Sequence, residues 1–448
     1  MTDHLPSGLP ARFLWGVSTS AYQIEGAVTA DGRGQSVWDT FCATPGKIAD
    51  GSTGDVACDH YHRYPQDIAL MRELGIAAYR FSVAWPRIQP EGTGPVNPAG
   101  LDFYDRLVDQ LCAADIAPVC TLFHWDTPQP LEDAGGWLSR DTALRFAEYA
   151  AIVGEALADR VAMWIPVNEP MVQTVYGYAI GEYAPGQTLL YGALPAAHHL
   201  NLGHGLAVRA LRAAGAERIG TANHHSPIWP RTGAPADRAA ATELDALVNG
   251  CFADPVLLGR YPEQLHAHLP AEFAEDLPVI AAPIDFYGVN YYEPQAAAAP
   301  SPGSPLPFDL APIEGYPRTS NDSVIVPAGL TEFLVALRRR IGPALPPVYL
   351  TENGCAGIDE PDAGGAIPDT HRIEFHTAHL AALAEAIAAG VDVRGYFVWS
   401  LLDNFEWSKG YGARFGLVHV DYSTQVRTPK NSYRWYQRLI SETAEISG

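Results

Sequence analysis

The chain has 448 residues, 47% of them hydrophobic and 18% charged, with no long low-complexity tract. That composition excludes intrinsic disorder, and the length allows a large core without disulfide or metal staples. Lys and Arg number 29 against 51 Asp and Glu, a formal charge of −22, which argues against nucleic acid or an anionic membrane as partners because both call for basic patches.

Six cysteines (Cys42, Cys58, Cys112, Cys120, Cys251, Cys355) are scattered without a Cys-x-x-Cys pair, which predicts reduced thiols and a cytoplasmic location. Residues 1–6 carry neither a basic nor an apolar leader segment, and no apolar run nears the ~20 residues needed to span a bilayer.

Taken in order, residues 12–20 predict a first strand and 21–26 a loop. Apolar spacing predicts a helix over 65–74, opened by Pro65 and stopped by Gly75, then a strand at 78–85. Helix 101–114, strand 117–125, helix 140–158 and strand 162–169 follow. Beyond them come helix 195–214, strand 218–225, helix 237–253 and strand 285–292. Residues 294–326, rich in Pro, Ala and Gly, read as the largest irregular loop. Helix 328–341, strand 347–353, helix 370–389 and strand 393–403 come next. A loop or hairpin at 404–422 and a helix at 431–443 close the chain.

Eight strands alternating with helices make the arithmetic of a single (β/α)8 barrel, an α/β fold with elaborated βα loops, here expected as one catalytic domain over 1–448. Strand runs that are apolar without clear alternation fit a parallel sheet covered on both faces. A doubly wound open sheet is the rival, but no Gly-x-Gly-x-x-Gly follows the first strand. In a barrel the C-terminal strand ends share one rim, where sites are built.

Two strand ends stand out. Trp164-Ile165-Pro166-Val167-Asn168-Glu169-Pro170 and Val348-Tyr349-Leu350-Thr351-Glu352-Asn353-Gly354 each run from apolar residues into an amide and a carboxylate. Paired carboxylates suggest acid/base and nucleophile chemistry. The other strand ends add Gln23, Arg80, His124, Trp125, Asn290, Tyr292, Trp399, Glu406 and Trp407. Amides, an imidazole, carboxylates and flat rings suit a sugar, whose hydroxyls want paired donors and acceptors and whose C–H face wants an aromatic platform. There is no phosphate cradle and no His-Glu-x-x-His pair, and His224 and His225, adjacent on a strand, point to opposite faces. Neither a cofactor nor a metal is expected.

With these residues in place the chain resembles glycoside hydrolase family one, the β-glucosidase family of retaining enzymes on a (β/α)8 barrel. Seven motifs in order carry the resemblance: Gln23-Ile24-Glu25-Gly26, Tyr79-Arg80-Phe81-Ser82, His124-Trp125-Asp126, Asn168-Glu169-Pro170, Asn290-Tyr291-Tyr292, Thr351-Glu352-Asn353-Gly354 and Asn404-Phe405-Glu406-Trp407. The resemblance implies Glu169 as acid/base and Glu352 as nucleophile on a small-molecule β-glycoside. It implies Arg80 and Tyr292 as supports that keep Glu352 ionised, with Glu352 in turn raising the pKa of Glu169. Asn168 would hold the 2-hydroxyl. Gln23, His124, Trp125, Asn290, Glu406, Trp407 and Phe415 would complete the sugar site, with Trp399 stacked on the ring. A carboxylate at Glu406 favours an unphosphorylated sugar. A cis peptide at Trp399-Ser400 is implied as well. Transfer of the sugar to an alcohol, or a non-catalytic sugar-binding barrel, would use the same rim; loss of either carboxylate would mark the latter.

The chain departs from the family in three places. Pro166 and Val167 replace the usual residues before Asn-Glu-Pro, and a proline in a central strand predicts a local irregularity. Met171 stands where Trp is common, and Ser323-Val324-Ile325 replace a Gly-Trp-Glu. Met171 and Ser323 both fall on the side of the leaving group, which is therefore expected to differ from a cellobiose-type one, being larger or more apolar.

Overall fold

The computed structural model describes residues 8–447, with side chains to residue 443. The stretch 1–6 read for a leader lies outside them. Strands β1 (Leu14–Ser18), β2 (Ala78–Ser82), β3 (Ala117–Phe123), β4 (Met163–Val167), β5 (Asn223–His224), β7 (Tyr287–Asn290), β10 (Val348–Asn353) and β11 (Val393–Trp399) form one parallel sheet in the order β4-β3-β2-β1-β11-β10-β7-β5. The two ends join: Trp164 N–H donates to Arg218 O, Gly220 N–H to Trp164 O and Glu169 N–H to Ala222 O, at 2.8 to 2.9 Å. The sheet is thus a closed eight-stranded barrel, as the alternation predicts. Helices Pro98–Ala113, Arg140–Leu157, Leu194–Ala213, Pro327–Ile341, Thr370–Ala388 and Asn431–Ser447 surround it.

The axis of the barrel is packed rather than open. Ala78, Val119, Met163, Ile165, Ala222, Phe286, Tyr349 and Phe397, drawn from seven strand segments, form one buried apolar cluster. Strand side chains alternate with period two, so the next inward position sits one layer toward the C-terminal rim. Two residues on from Ala78, Val119, Ala222 and Phe397 stand Arg80, Thr121, His224 and Trp399. The apolar plug is therefore the floor on which a polar layer rests.

Several element boundaries differ from the sequence reading. The helix expected from Pro65 begins at His60 and carries Pro65 inside it. Its first turn escaped notice because its polar residues hide core contacts: His60 and Tyr61 are buried, and His60 Nδ1 lies 2.8 Å from Asp67 Oδ2. The stretch 218–225 keeps only two residues of regular strand, the rest pairing through isolated bridges. The helix expected over 237–253 spans Pro235–Leu258 with a wider turn at Ala246–Gly250. The supposed irregular loop holds β8 (Gln295–Ala298) and β9 (Asp309–Ala311), which join β6 (Ile228–Pro230) in a small separate sheet. Strands of three or four residues are too short to carry a periodic signal, so only the tertiary pairing reveals them. Near the C-terminus β12 (Val418–Asp421) and β13 (Val426–Pro429) form an antiparallel hairpin.

Candidate active site

Both strand-end carboxylates sit where their strands lose regularity. On its β5 side, β4 pairs Trp164 with Ile219 and Asn168 with Ala222, four residues against three. Pro166 has no N–H to give there, and the pairing resumes one residue out of phase at Glu169, whose φ is +43°. This is the irregularity that a proline in a central strand predicts. On β10 the register shifts between Leu350 and Glu352 against β7 and between Leu350 and Asn353 against β11. Such bulges re-aim a side chain. Trp125 (φ +74°) and Trp407 (φ +50°) also occupy the left-handed region. Three of the non-glycine residues with positive φ thus stand at this rim.

Glu169 and Glu352, each 3% exposed, line a common cavity of about 180 Å³ with His124, Trp125, Trp399 and Glu406. Tyr292, Ser323, Trp407 and Phe415 line it as well. Arg80 lies beneath, fully engaged. Its Nη1 donates to Glu352 Oε1 at 2.6 Å and to Thr351 O at 3.1 Å, its Nη2 to Asn168 Oδ1 at 2.5 Å and its Nε to Thr121 Oγ1 at 3.1 Å. The Tyr292 hydroxyl donates to Glu352 Oε2 at 2.8 Å. Each oxygen of Glu352 therefore has its own donor.

Glu169 has a different setting. Asn290 Nδ2 donates to its Oε1 at 2.8 Å and to Asn168 Oδ1 at 3.1 Å, while Thr351 Oγ1 donates to Asn290 Oδ1 at 2.6 Å. Asn168 Nδ2 meets His124 Nε2 at 3.1 Å, and Trp125 Nε1 donates to Asn168 O at 3.0 Å. Asn168, Asn290 and Arg80 thus form a linked frame that locates both carboxyls. Gln23 stands behind Glu406: its Nε2 donates to Glu406 Oε2 at 3.3 Å, and its Oε1 accepts from Ser20 Oγ at 2.6 Å. Trp399, whose peptide bond to Ser400 is cis, packs with Phe415 and Tyr292 and lies 5.8 Å from the His124 ring, near parallel to it.

Charge in this cavity is unbalanced. Burial is the largest influence on Glu352 and raises its pKa to about 7; the nearby Glu169 pushes the same way, while Arg80 and the Tyr292 hydrogen bond pull it down. Burial, followed by Glu352 and Glu169, raises Glu406 to about 8. The sequence reading has the supports holding Glu352 low. They do act in that sense, but desolvation of three neighbouring carboxyls outweighs one guanidinium. Among the described residues lining the cavity there is no Lys or Arg.

Not every anticipated residue lines this cavity. Ser323 does, while Met171 lines a neighbouring apolar cavity instead. Sequence reading also overlooked residues that do line it, among them His224, Tyr176, Tyr183 and Glu293. His224 Nδ1 lies 3.5 Å from Glu169 Oε1, and its ring stacks with Tyr292 at 6.1 Å. The signal for it was present: opposite-facing neighbours on a barrel strand require one imidazole of the His224-His225 pair to face the interior. His225 takes the outward role, bonding Asn249 and Tyr287.

Comparison with known proteins agrees with this geometry. The family described as glycosyl hydrolase family 1 matches residues 5–445. The chain is 49% identical to a thermostable beta-glucosidase B of Thermobispora bispora, over 98% of this chain and 92% of that one. It is 42% identical to a bifunctional beta-D-glucosidase/beta-D-fucosidase of Bifidobacterium breve, over 97% and 98%. A solved family 1 β-glucosidase from Thermotoga maritima superposes with a TM-score of 0.94 at 41% identity, covering 98% of this chain and 99% of that one. On the motifs, the barrel and these matches together, the chain belongs to glycosyl hydrolase family 1.

Proposed function

We propose that the protein is a retaining exo-β-glycosidase, one catalytic domain that removes terminal β-D-glucosyl residues, with β-D-fucosyl and β-D-galactosyl residues as further substrates. In this reading Glu352 attacks the anomeric carbon as a carboxylate while Glu169 gives its proton to the departing glycosidic oxygen, so the leaving group exits as an alcohol. Glu169 then takes a proton from water, which attacks the same carbon and releases Glu352. Arg80 and Tyr292 balance the charge that Glu352 carries before and after the covalent step. Asn168, His124, Gln23, Glu406, Trp407 and Phe415 bind the sugar, and Trp399 takes its apolar face.

The observation that supports this reading best is the unequal setting of the two carboxyls. Glu352 meets a guanidinium and a phenol, whereas Glu169 meets an amide and an imidazole. Four carboxyls line the cavity, and the one guanidinium beneath it is already engaged; a 6-phosphate would find no cation there, which favours neutral sugars. The six unpaired cysteines support action in a reducing, cytoplasmic compartment. Among the described residues no helix is long and apolar enough to cross a membrane.

The test is Glu352→Gly. Turnover of an activated aryl β-glucoside is expected to fall by at least about 10⁴-fold, by analogy with removal of other covalent nucleophiles. Added azide should restore it and yield an α-glucosyl azide. Wild-type turnover in this variant would remove Glu352 from the role.

A further inference from the structure

Residues 170–180 separate the catalytic cavity from a second one of about 260 Å³. The second is walled by Met171 from this turn, Leu194 and Leu247 from two helical segments, and Leu306 and Phe308 from the arm between β8 and β9. Its size exceeds the ~150 Å³ of apolar cavities that admit benzene. Its mouth is apolar too. Ile180, Leu190 and Leu310 line it while being 44%, 37% and 69% exposed. They are three of the nine large hydrophobic side chains left exposed among the described residues. Gathering them around one opening is the signature of a surface that meets an apolar ligand.

Tyr176 lines both cavities. It comes seven residues after Glu169, in the turn Gln173–Ala179, whose wider winding places it between the two spaces. Met171, one residue beyond the Glu169-Pro170 step, is only 2% exposed and faces the second cavity. A leaving group whose first atoms lie beside Glu169 therefore has an apolar compartment one side chain away. Thr174, Gln295, Ser304 and Asp309 line it too, but most of its wall is apolar, so hydroxyl-rich sugars would lose hydrogen bonds there whereas methylenes gain by leaving water.

We propose that this cavity receives the aliphatic tail of the leaving group, so that the enzyme acts on β-glucosides of medium-chain alcohols. The glucose occupies the catalytic cavity, and the alkyl chain passes Tyr176 into the compartment walled by Leu194, Leu247 and Leu306. Hydrolysis then sends one proton from Glu169 to the alkyl oxygen, with water supplying the hydroxyl left on glucose. The inference rests on the β-glucosidase reading above.

The experiment compares kcat/KM for ethyl, butyl, hexyl and octyl β-D-glucosides, kept below their micelle concentrations, with 4-nitrophenyl β-D-glucoside as reference. Beyond butyl, kcat/KM is expected to rise about two- to fourfold per methylene, the upper figure matching ~0.8 kcal/mol for a buried CH₂. Leu247→Trp and Leu306→Trp, which fill the cavity from different walls, should flatten the series and leave the 4-nitrophenyl substrate within about twofold of wild type. A flat series in the wild type overturns the proposal, as does a slope unchanged in both filled variants. So does a chain-length-independent enzyme that self-associates in solution and becomes monomeric in Leu310→Asp, which would assign the apolar mouth to a second copy. If neither class of glucoside is turned over, the β-glucosidase reading fails. The cavity is then judged by calorimetry with octyl β-thioglucoside, whose binding must weaken in both Trp variants for the proposal to stand.

Discussion

Glu352 is held from two sides, and the hold is asymmetric in strength. Arg80 contributes a full charge at 2.6 Å, Tyr292 a neutral hydroxyl at 2.8 Å. Both favour the ionised carboxyl against burial, which raises its pKa to about 7. Removing the hydroxyl in Tyr292→Phe withdraws a contact that lowers that pKa, so the group titrates higher still. The acid limb of kcat/KM, which reports the free enzyme's essential base, is expected to move to higher pH. At pH 6 kcat/KM should fall about ten- to hundredfold, in line with ~1.5–3 kcal/mol for a hydrogen bond to a charged group. An acid limb left in place would show that Tyr292 does not act through Glu352.

At the scale of elements, the strand ends matter more than the strands. Pro166 denies β4 a ladder donor, and the pairing slips by one residue before Glu169; β10 shifts register before Glu352. Gly354 follows that shift at a place where no side chain fits. A Cβ there would stand 1.8 Å from the carbonyl oxygen of Trp399, so the residue after β10 lies against the backbone that carries the ring proposed to face the sugar. Gly354→Ala is expected to lose about 1–3 kcal/mol of stability by overpacking and to displace Trp399. Urea unfolding together with Trp fluorescence would read both effects; an unchanged midpoint with full activity would refute the close approach as a constraint.

On the scale of the whole molecule, a buried ionic network ties distant loops to the C-terminal helix. Lys430 Nζ bonds Asp359 Oδ2 and Asp403 Oδ1 at 2.6 Å each, and the three side chains have no exposure. Asp359 belongs to the loop after β10, Asp403 to the segment that leads into Asn404-Phe405-Glu406, and Lys430 precedes the helix Asn431–Ser447. Burial lowers the Lys430 pKa, and the two carboxylates act against that shift. Lys430→Met would remove the shared cation and leave Asp359 with Arg372 and Asp403 with Arg414, a loss of about 1–3 kcal/mol for the unpaired carboxylate oxygens. Denaturant unfolding measures it, and a change below 1 kcal/mol would assign the network no structural weight. Because Asp403 lies three residues before Glu406, the same variant should weaken binding of the sugar.

The sequence alone determines the number and order of the barrel strands, since continuous apolar runs alternate with amphipathic helices along the chain. It also singles out the two carboxyls proposed to react, because Asn-Glu-Pro and Thr-Glu-Asn-Gly end apolar runs whose common meeting place is the rim. It did not reveal β8 and β9, which at four and three residues are too short to carry a period, nor the half-formed β5, which exists only through its partners. Nor could it show that His224 rather than His225 faces Glu169, since that depends on which residue of the strand lies over the plug at Ala222. Tertiary structure alone decided that Glu352 and Glu406 are raised in pKa, because desolvation belongs to a closed cavity and not to a motif. It alone also turned Met171 toward a second cavity, because the direction of one side chain in a turn is set by what packs on either face.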